Sequence, residues 1–107
     1  MSKVATREEV LRILKEQLPY LRESFGIDEI AVYGSFSKGT QTKKSDVDLI
    51  VRLTKPLGLE FVSLADHLES VLGRRVDIAT FETLRRSKEN PRRKRLADEI
   101  ERTLSYV

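Results

Sequence analysis

The stretch from Asp46 to Ala79 constrains this chain most, because it reads as strand, helix, strand. Asp46 to Leu53 carries the apolar run Leu49-Ile50-Val51 and reads as a strand. Phe61, Leu64, Ala65, Leu68, Val71 and Leu72 then recur at helical spacing, with Gly73 placed as a C-terminal stop. Val76-Asp77-Ile78-Ala79 is a further strand. Such a unit crosses over right-handedly, which makes its two strands parallel. An earlier strand, Asp28 to Tyr33, is almost continuously apolar from Ile30 and reaches the unit by a short connection that suits an antiparallel neighbour. Antiparallel placement sets the end of this first strand at the sheet edge where the other two begin. Gly34, Ser35, Asp46, Asp48 and Asp77 therefore converge at one edge by topology alone. The fold class expected is α/β (α+β), a small mixed sheet with helices packed on it.

The remaining segments read as packing elements. Thr6-Arg7-Glu8-Glu9 has capping-box spacing, and Val10, Leu14, Leu18 and Leu21 follow at helical intervals. Pro19 predicts a kink or a restart in that helix, and Gly26 its stop. A short helical turn from Phe36 to Lys38 should end at Gly39, a residue free to take positive φ. Gln41 to Lys44 reads as an exposed loop, and Thr54 to Gly58 as a turn. Phe81 to Glu89 reads as a polar, basic connection. Asn90-Pro91 reads as N-cap and first position of a last helix, whose stripe is Leu96, Ile100 and Leu104, with Ala97 alongside. Tyr106 and Val107 lie at an end expected to fray, and offer a candidate surface for a partner.

Composition sets the outer limits. A length of 107 residues predicts a single domain, 1–107, with one modest core. There is no cysteine, which excludes a disulfide framework and thiolate metal sites and fits a cytoplasmic location. No apolar run is long enough to span a bilayer, and no signal-peptide core is visible. The net charge is +3, with the basic excess concentrated between Arg85 and Arg95. Such a run reads as a solvated face, and direct nucleic-acid binding is not expected. His67, without a Cys or His companion, reads as structural.

The converging residues carry the chemistry. Asp46 and Asp48 are two apart in a strand and point the same way. Paired carboxylates repel in a dry setting and become tolerable when a divalent cation sits between them. Gly34-Ser35, at a strand end, can offer backbone N–H groups and a hydroxyl to an anion. An anion cradle beside a carboxylate pair is what a nucleoside triphosphate carried with magnesium requires.

Gly34-Ser35, Gly39 and Ser45-Asp46-x-Asp48 together resemble the GS…G…DxD signature of the polymerase-beta-type nucleotidyltransferase superfamily. The short chain looks like the minimal nucleotidyltransferases that form the antitoxin half of HEPN/MNT toxin–antitoxin pairs. The resemblance covers roughly Glu29 to Ala79 and implies the following roles. Asp46, Asp48 and Asp77 hold magnesium, as two ions, and Asp77 is also the candidate general base. Gly34 and Ser35 hold the β- and γ-phosphates of ATP. Lys38 could reach a phosphate as a point charge, and Ser45 caps or orients the loop before the carboxylates while counting among the nucleotide-binding residues. The activity implied is transfer of AMP from ATP to a hydroxyl, a tyrosine of the HEPN toxin, within a hetero-oligomer. Two alternatives belong to other classes. One is an antitoxin that neutralises its partner by contact alone, against which the presence of all three carboxylates argues. The other is a nucleotidyltransferase acting on a small molecule or a nucleic-acid end, for which the chain offers no additional domain to bind the acceptor. Nothing in the sequence reads as an adenine pocket.

Overall fold

A computed structural model describes residues 3–107. Helix α1 (Arg7–Phe25) starts where the capping-box spacing puts it, the Thr6 hydroxyl accepting from the Glu9 N–H at 3.2 Å. Pro19 neither ends nor restarts it: the helix runs through, with Leu14 and Leu21 buried on either side of the missing N–H. Gly26 closes it at φ +66°, its N–H returning to the carbonyls of Arg22 and Leu21.

Strand β1 (Ile27–Tyr33) pairs antiparallel with β2 (Val47–Leu53), and β2 pairs parallel with β3 (Val76–Thr80). Helix α2 (Gly34–Lys38) follows β1 directly, and α3 (Glu60–Leu72) makes the crossover from β2 to β3. The sheet order is β3-β2-β1-β4, with β4 (Ser105–Tyr106) on the outer side of β1. The expected topology is thus observed, with β2 starting at Val47 and Asp46 one residue outside it.

Alternation along the strands divides the interior in two. Ile30, Val32, Leu49 and Val51 face α1 and α3, where they meet Val10, Leu14, Leu21, Leu64, Leu68 and Leu72 in the larger core. Ala31 and Ile50 turn to the opposite face and meet Leu84 and Ala97, from helices α4 (Phe81–Glu89) and α5 (Lys94–Arg102).

That second face holds the departures from expectation. Phe81 to Glu89 is a helix rather than a connection: the Thr80 hydroxyl caps it by accepting from the Thr83 N–H at 3.1 Å, and Leu84 is its buried anchor. One buried leucine, contributing roughly 1.5–3 kcal/mol, makes no legible stripe among charged neighbours. Asn90-Pro91 forms a turn, with Asn90 Oδ1 accepting from the Arg92 N–H at 2.9 Å, and α5 begins later, at Lys94. The inward residues there are Ala97, Ile100 and Leu104, while Leu96 is 62% exposed. The small Ala97 seats the helix on Ala31 and Ile50, and that rotation leaves Leu96 outside. The C-terminal residues are tied down as well. Ser105 and Tyr106 pair with Val32 and Ala31, the Val107 N–H reaches the Ile30 carbonyl at 3.1 Å, and Val107 packs against the larger core.

Candidate active site

Backbone register assembles the site. Tyr33, the last residue of β1, is paired with Asp48, and Asp48 is paired with Asp77. β1 passes into α2 without a loop, so Gly34 and Ser35 are the next two residues after the Tyr33–Asp48 pair. The neighbours of Asp48 and Asp77 along their strands, Val47, Leu49, Val76 and Ile78, belong to the larger core. Both carboxylates therefore face the α4–α5 side. Gly34 has φ +71°, and a Cβ there would run into the Asp48 carboxyl group, 3.1 Å from its Cγ. Glycine is thus required at position 34 by the left-handed backbone and by the approach of Asp48.

The electrostatics follow from that crowding. Asp48 is half-buried, and its pKa is pushed up to about 6, first by burial, then by Asp77 and Asp46. The Tyr33 hydroxyl is pushed up to about 12, first by burial, then by Asp77 and Asp48. Among the described residues, no basic side chain forms an ion pair with Asp46, Asp48 or Asp77. Nor do three carboxylate or imidazole groups close together into a cage among those residues. Asp48 and Asp77 stand side by side in the sheet, with Asp46 exposed beyond the end of β2. Hard oxygen donors without a competing cation fit magnesium, which keeps several waters and needs only one or two carboxylates from a protein.

The two lesser candidates are engaged elsewhere. Lys38 Nζ meets Glu99 Oε1 of α5 at 3.1 Å. Ser45 Oγ accepts from the Thr42 N–H at 2.8 Å, and the Ser45 N–H donates to the Thr42 carbonyl at 3.1 Å, so this serine orients the loop before the carboxylates. His67 bonds Gln17 at 2.7 Å on the far side of the sheet, between α3 and α1.

Sequence reasoning passed over Arg74. It is buried at 8% exposure, an unusual place for a guanidinium. Its Nε donates to the Val4 carbonyl at 2.6 Å, and Nη1 lies 3.2, 3.0 and 3.0 Å from the carbonyls of Thr42, Lys43 and Ser45. Its guanidinium also sits over the Phe36 ring of α2, 5.1 Å from the centroid. One side chain thus joins the loop that delivers Asp46 to the helix that begins at Gly34. An Arg-Arg pair before a strand carries no signal to separate it from the basic residues elsewhere in the chain.

A glycine-opened helix packed against a carboxylate, with further carboxylates beside it, can take a metal-bound polyphosphate. Residues 9–104 match the family described as the nucleotidyltransferase domain. The chain belongs to that family. This nucleotidyltransferase is 41% identical over 81 residues to the protein adenylyltransferase MntA of Thermococcus cleftensis, covering 75% of this chain and 82% of that one. It is 33% identical over 105 residues to a Methanocaldococcus jannaschii protein classed as a candidate protein adenylyltransferase, covering 95% and 98% of the two chains. A solved structure described as a candidate minimal nucleotidyltransferase superposes with a TM-score of 0.70 at 28% identity, covering 97% of this chain and 98% of that one. A crystal structure of a toxin–antitoxin with AMP-PNP matches with a TM-score of 0.52 at 28% identity, over 76% of this chain. This nucleotidyltransferase spans 59% of the length of that last chain.

Proposed function

We propose that this nucleotidyltransferase moves AMP from magnesium–ATP onto a hydroxyl of a partner protein, a tyrosine of a HEPN-type toxin, and so serves as the antitoxin of the pair. The observation that carries the reading is the Tyr33–Asp48–Asp77 register, with Gly34 against the Asp48 carboxyl. The names of the relatives, protein adenylyltransferases, and the toxin–antitoxin match support the choice of nucleotide and of partner.

In this reading Asp46 and Asp48 would hold magnesium, with Asp77 as the third ligand. Magnesium, when bound, neutralises the triphosphate and the charge that develops in transfer. Gly34 and Ser35 present backbone N–H groups and a hydroxyl to the β- and γ-phosphates. Asp77, on the outer strand and exposed, accepts the proton of the incoming hydroxyl. That oxygen bonds to the α-phosphorus, the bond from the α-phosphorus to the bridging oxygen breaks, and pyrophosphate leaves. Arg74 keeps the carboxylate loop in register with α2 throughout.

The test is incubation with labelled ATP, magnesium and a HEPN-type candidate partner protein. The expected result is label on a partner tyrosine and a mass increase of AMP units, both abolished by EDTA. A partner that is bound and restrained without gaining mass would replace this reading with neutralisation by contact.

A further inference from the structure

Helices α2 and α5 are pinned to each other at two points. The buried Ser37 hydroxyl donates to the Thr103 carbonyl and shares a hydrogen bond of 2.7 Å with the Ser105 hydroxyl. One residue on, Lys38 meets Glu99 at 3.1 Å. Between the helices lies a cleft of about 310 Å³, lined by Tyr33, Gly34, Leu96 and Ile100, with the Lys38–Glu99 pair among its walls. The lining is mostly apolar. Leu96 is 62% exposed there, a large apolar side chain held in water by the rotation of α5. Several polar groups nearby are engaged with one another. Thr103 Oγ1 donates to the carbonyls of Glu99 and Ile100, and Lys38 and Glu99 satisfy each other.

Such a cleft suits a flat group with apolar faces. Its position names the group. Gly34 lines the cleft and also opens the helix assigned to the phosphates. A nucleotide whose phosphates rest at Gly34-Ser35 therefore has this cleft open beside them for the remainder of the molecule. Aromatic bases bind apolar platforms by their faces, and each stacked base strengthens binding appreciably. We propose that the α2–α5 cleft receives the nucleobase of the triphosphate, held by its face against Leu96, Ile100 and Tyr33. This rests on the reading of Gly34-Ser35 given above and adds a base site to it, supplied by the chain's own C-terminal helix.

The experiment is calorimetric titration of magnesium AMP-PNP and of magnesium tripolyphosphate into the parent chain, Leu96→Ser and Leu96→Phe. Leu96→Ser should weaken AMP-PNP binding by about tenfold while leaving tripolyphosphate binding and the melting temperature unchanged, because the side chain is exposed and touches only the base. Leu96→Phe keeps an apolar face and should retain AMP-PNP affinity. Three results would overturn the assignment. Normal AMP-PNP binding by Leu96→Ser, in a parent chain that binds it and labels its partner, leaves the proposed function standing and removes the base site. Equal weakening of both ligands places the effect at the phosphates or in the fold. A parent chain that binds neither ligand with magnesium present refutes the phosphate reading and this inference with it.

Discussion

The two faces of the sheet are built from the same strands and do opposite work. Under α1 and α3, Leu14, Leu49, Leu64 and Leu68 are each 0% exposed, and the face is closed from end to end by apolar side chains. The other face has a small cluster, Ala31, Ile50, Leu84 and Ala97, under two short charged helices. Past its end lie Asp48 and Asp77. Leu49 and Asp48 are consecutive residues, and period-two geometry sends one to each side. Stability is drawn from the first face. It allows the second to hold carboxylates together, at a cost visible in the upward shift of half-buried Asp48, from burial first and then from Asp77 and Asp46.

The sharpest way to break that contrast is to exchange the insult between faces. Leu14→Ala should cost about 2–5 kcal/mol in chemical denaturation, since the fully buried site can collapse only in part. The fraction still folded should transfer AMP at the parental rate. Asp46→Asn with Asp48→Asn should do the reverse. Transfer should fall at least ~10²-fold, as when an active site loses a principal electrostatic element, with no loss of stability in the metal-free protein. Partner association should survive in a pull-down, because the substitutions keep the side-chain shape. A double variant that still labels its partner at the normal rate would end the assignment of these carboxylates.

The same contrast explains how much could be read in advance. The closed face repeats at regular intervals, so α1, α3 and the three main strands were legible from Val10, Leu14, Leu64, Leu68 and the run Leu49-Ile50-Val51. The meeting of Gly34, Asp48 and Asp77 followed from handedness and strand direction, which need no side-chain detail. The open face is built from single contacts. Leu84 is the one buried residue of α4, with half-buried Phe81 packed beside it, and Ala97 rather than Leu96 sets the rotation of α5. β4 has two residues, too few to show a pattern. Arg74 is of the same kind: its partners are backbone carbonyls, which leave no trace in the sequence.

Arg74 is the next largest effect, because it ties the two sides of the site together. Arg74→Met keeps the bulk but leaves the carbonyls of Val4, Thr42, Lys43 and Ser45 without their donor. The expected loss is roughly 1–3 kcal/mol in stability. Transfer should fall by roughly tenfold or more as the carboxylate loop moves relative to α2. A magnesium titration separates positioning from simple unfolding: more magnesium should be needed for half-maximal rate, and Arg74→Lys should restore part of the stability but less of the rate. An unchanged magnesium requirement would make Arg74 a fold residue only. Truncation after Thr103 is milder. It removes β4 and Val107, and melting should show a loss of about 1–2 kcal/mol from the backbone bonds to Ile30, Ala31 and Val32. Parental melting in the truncated chain would show that the edge strand contributes nothing.

The smallest effect is a pH dependence, and its sign is fixed by the open face. Asp48 has an ordinary pKa of 3.8 and is pushed up to about 6 in the folded chain, by burial first and then by Asp77 and Asp46. Without magnesium, the folded state then binds the Asp48 proton more tightly than the unfolded state does. Its contribution to stability is fully present below 3.8 and is lost as the pH rises through about 6. Asp98 and Glu99 are shifted downward, chiefly by hydrogen bonds from Lys94 and Lys38, and act with the opposite sign, so the whole-protein curve mixes the two. The comparison with Asp48→Asn isolates the first. In EDTA at neutral pH the variant should be the more stable chain. Its advantage should be below ~1 kcal/mol, because solvent screens a carboxylate that is only half-buried. That advantage should disappear by about pH 4, where the parental carboxyl is itself neutral. Millimolar magnesium at neutral pH should reverse the order, since an ion bound by the folded parent stabilises it by mass action and the variant has lost that ligand. Parallel pH curves in EDTA would show that neither burial nor the neighbouring Asp77 and Asp46 shifts Asp48. A failure of magnesium to reverse the order would show that the open face gathers its charges for something other than a divalent cation.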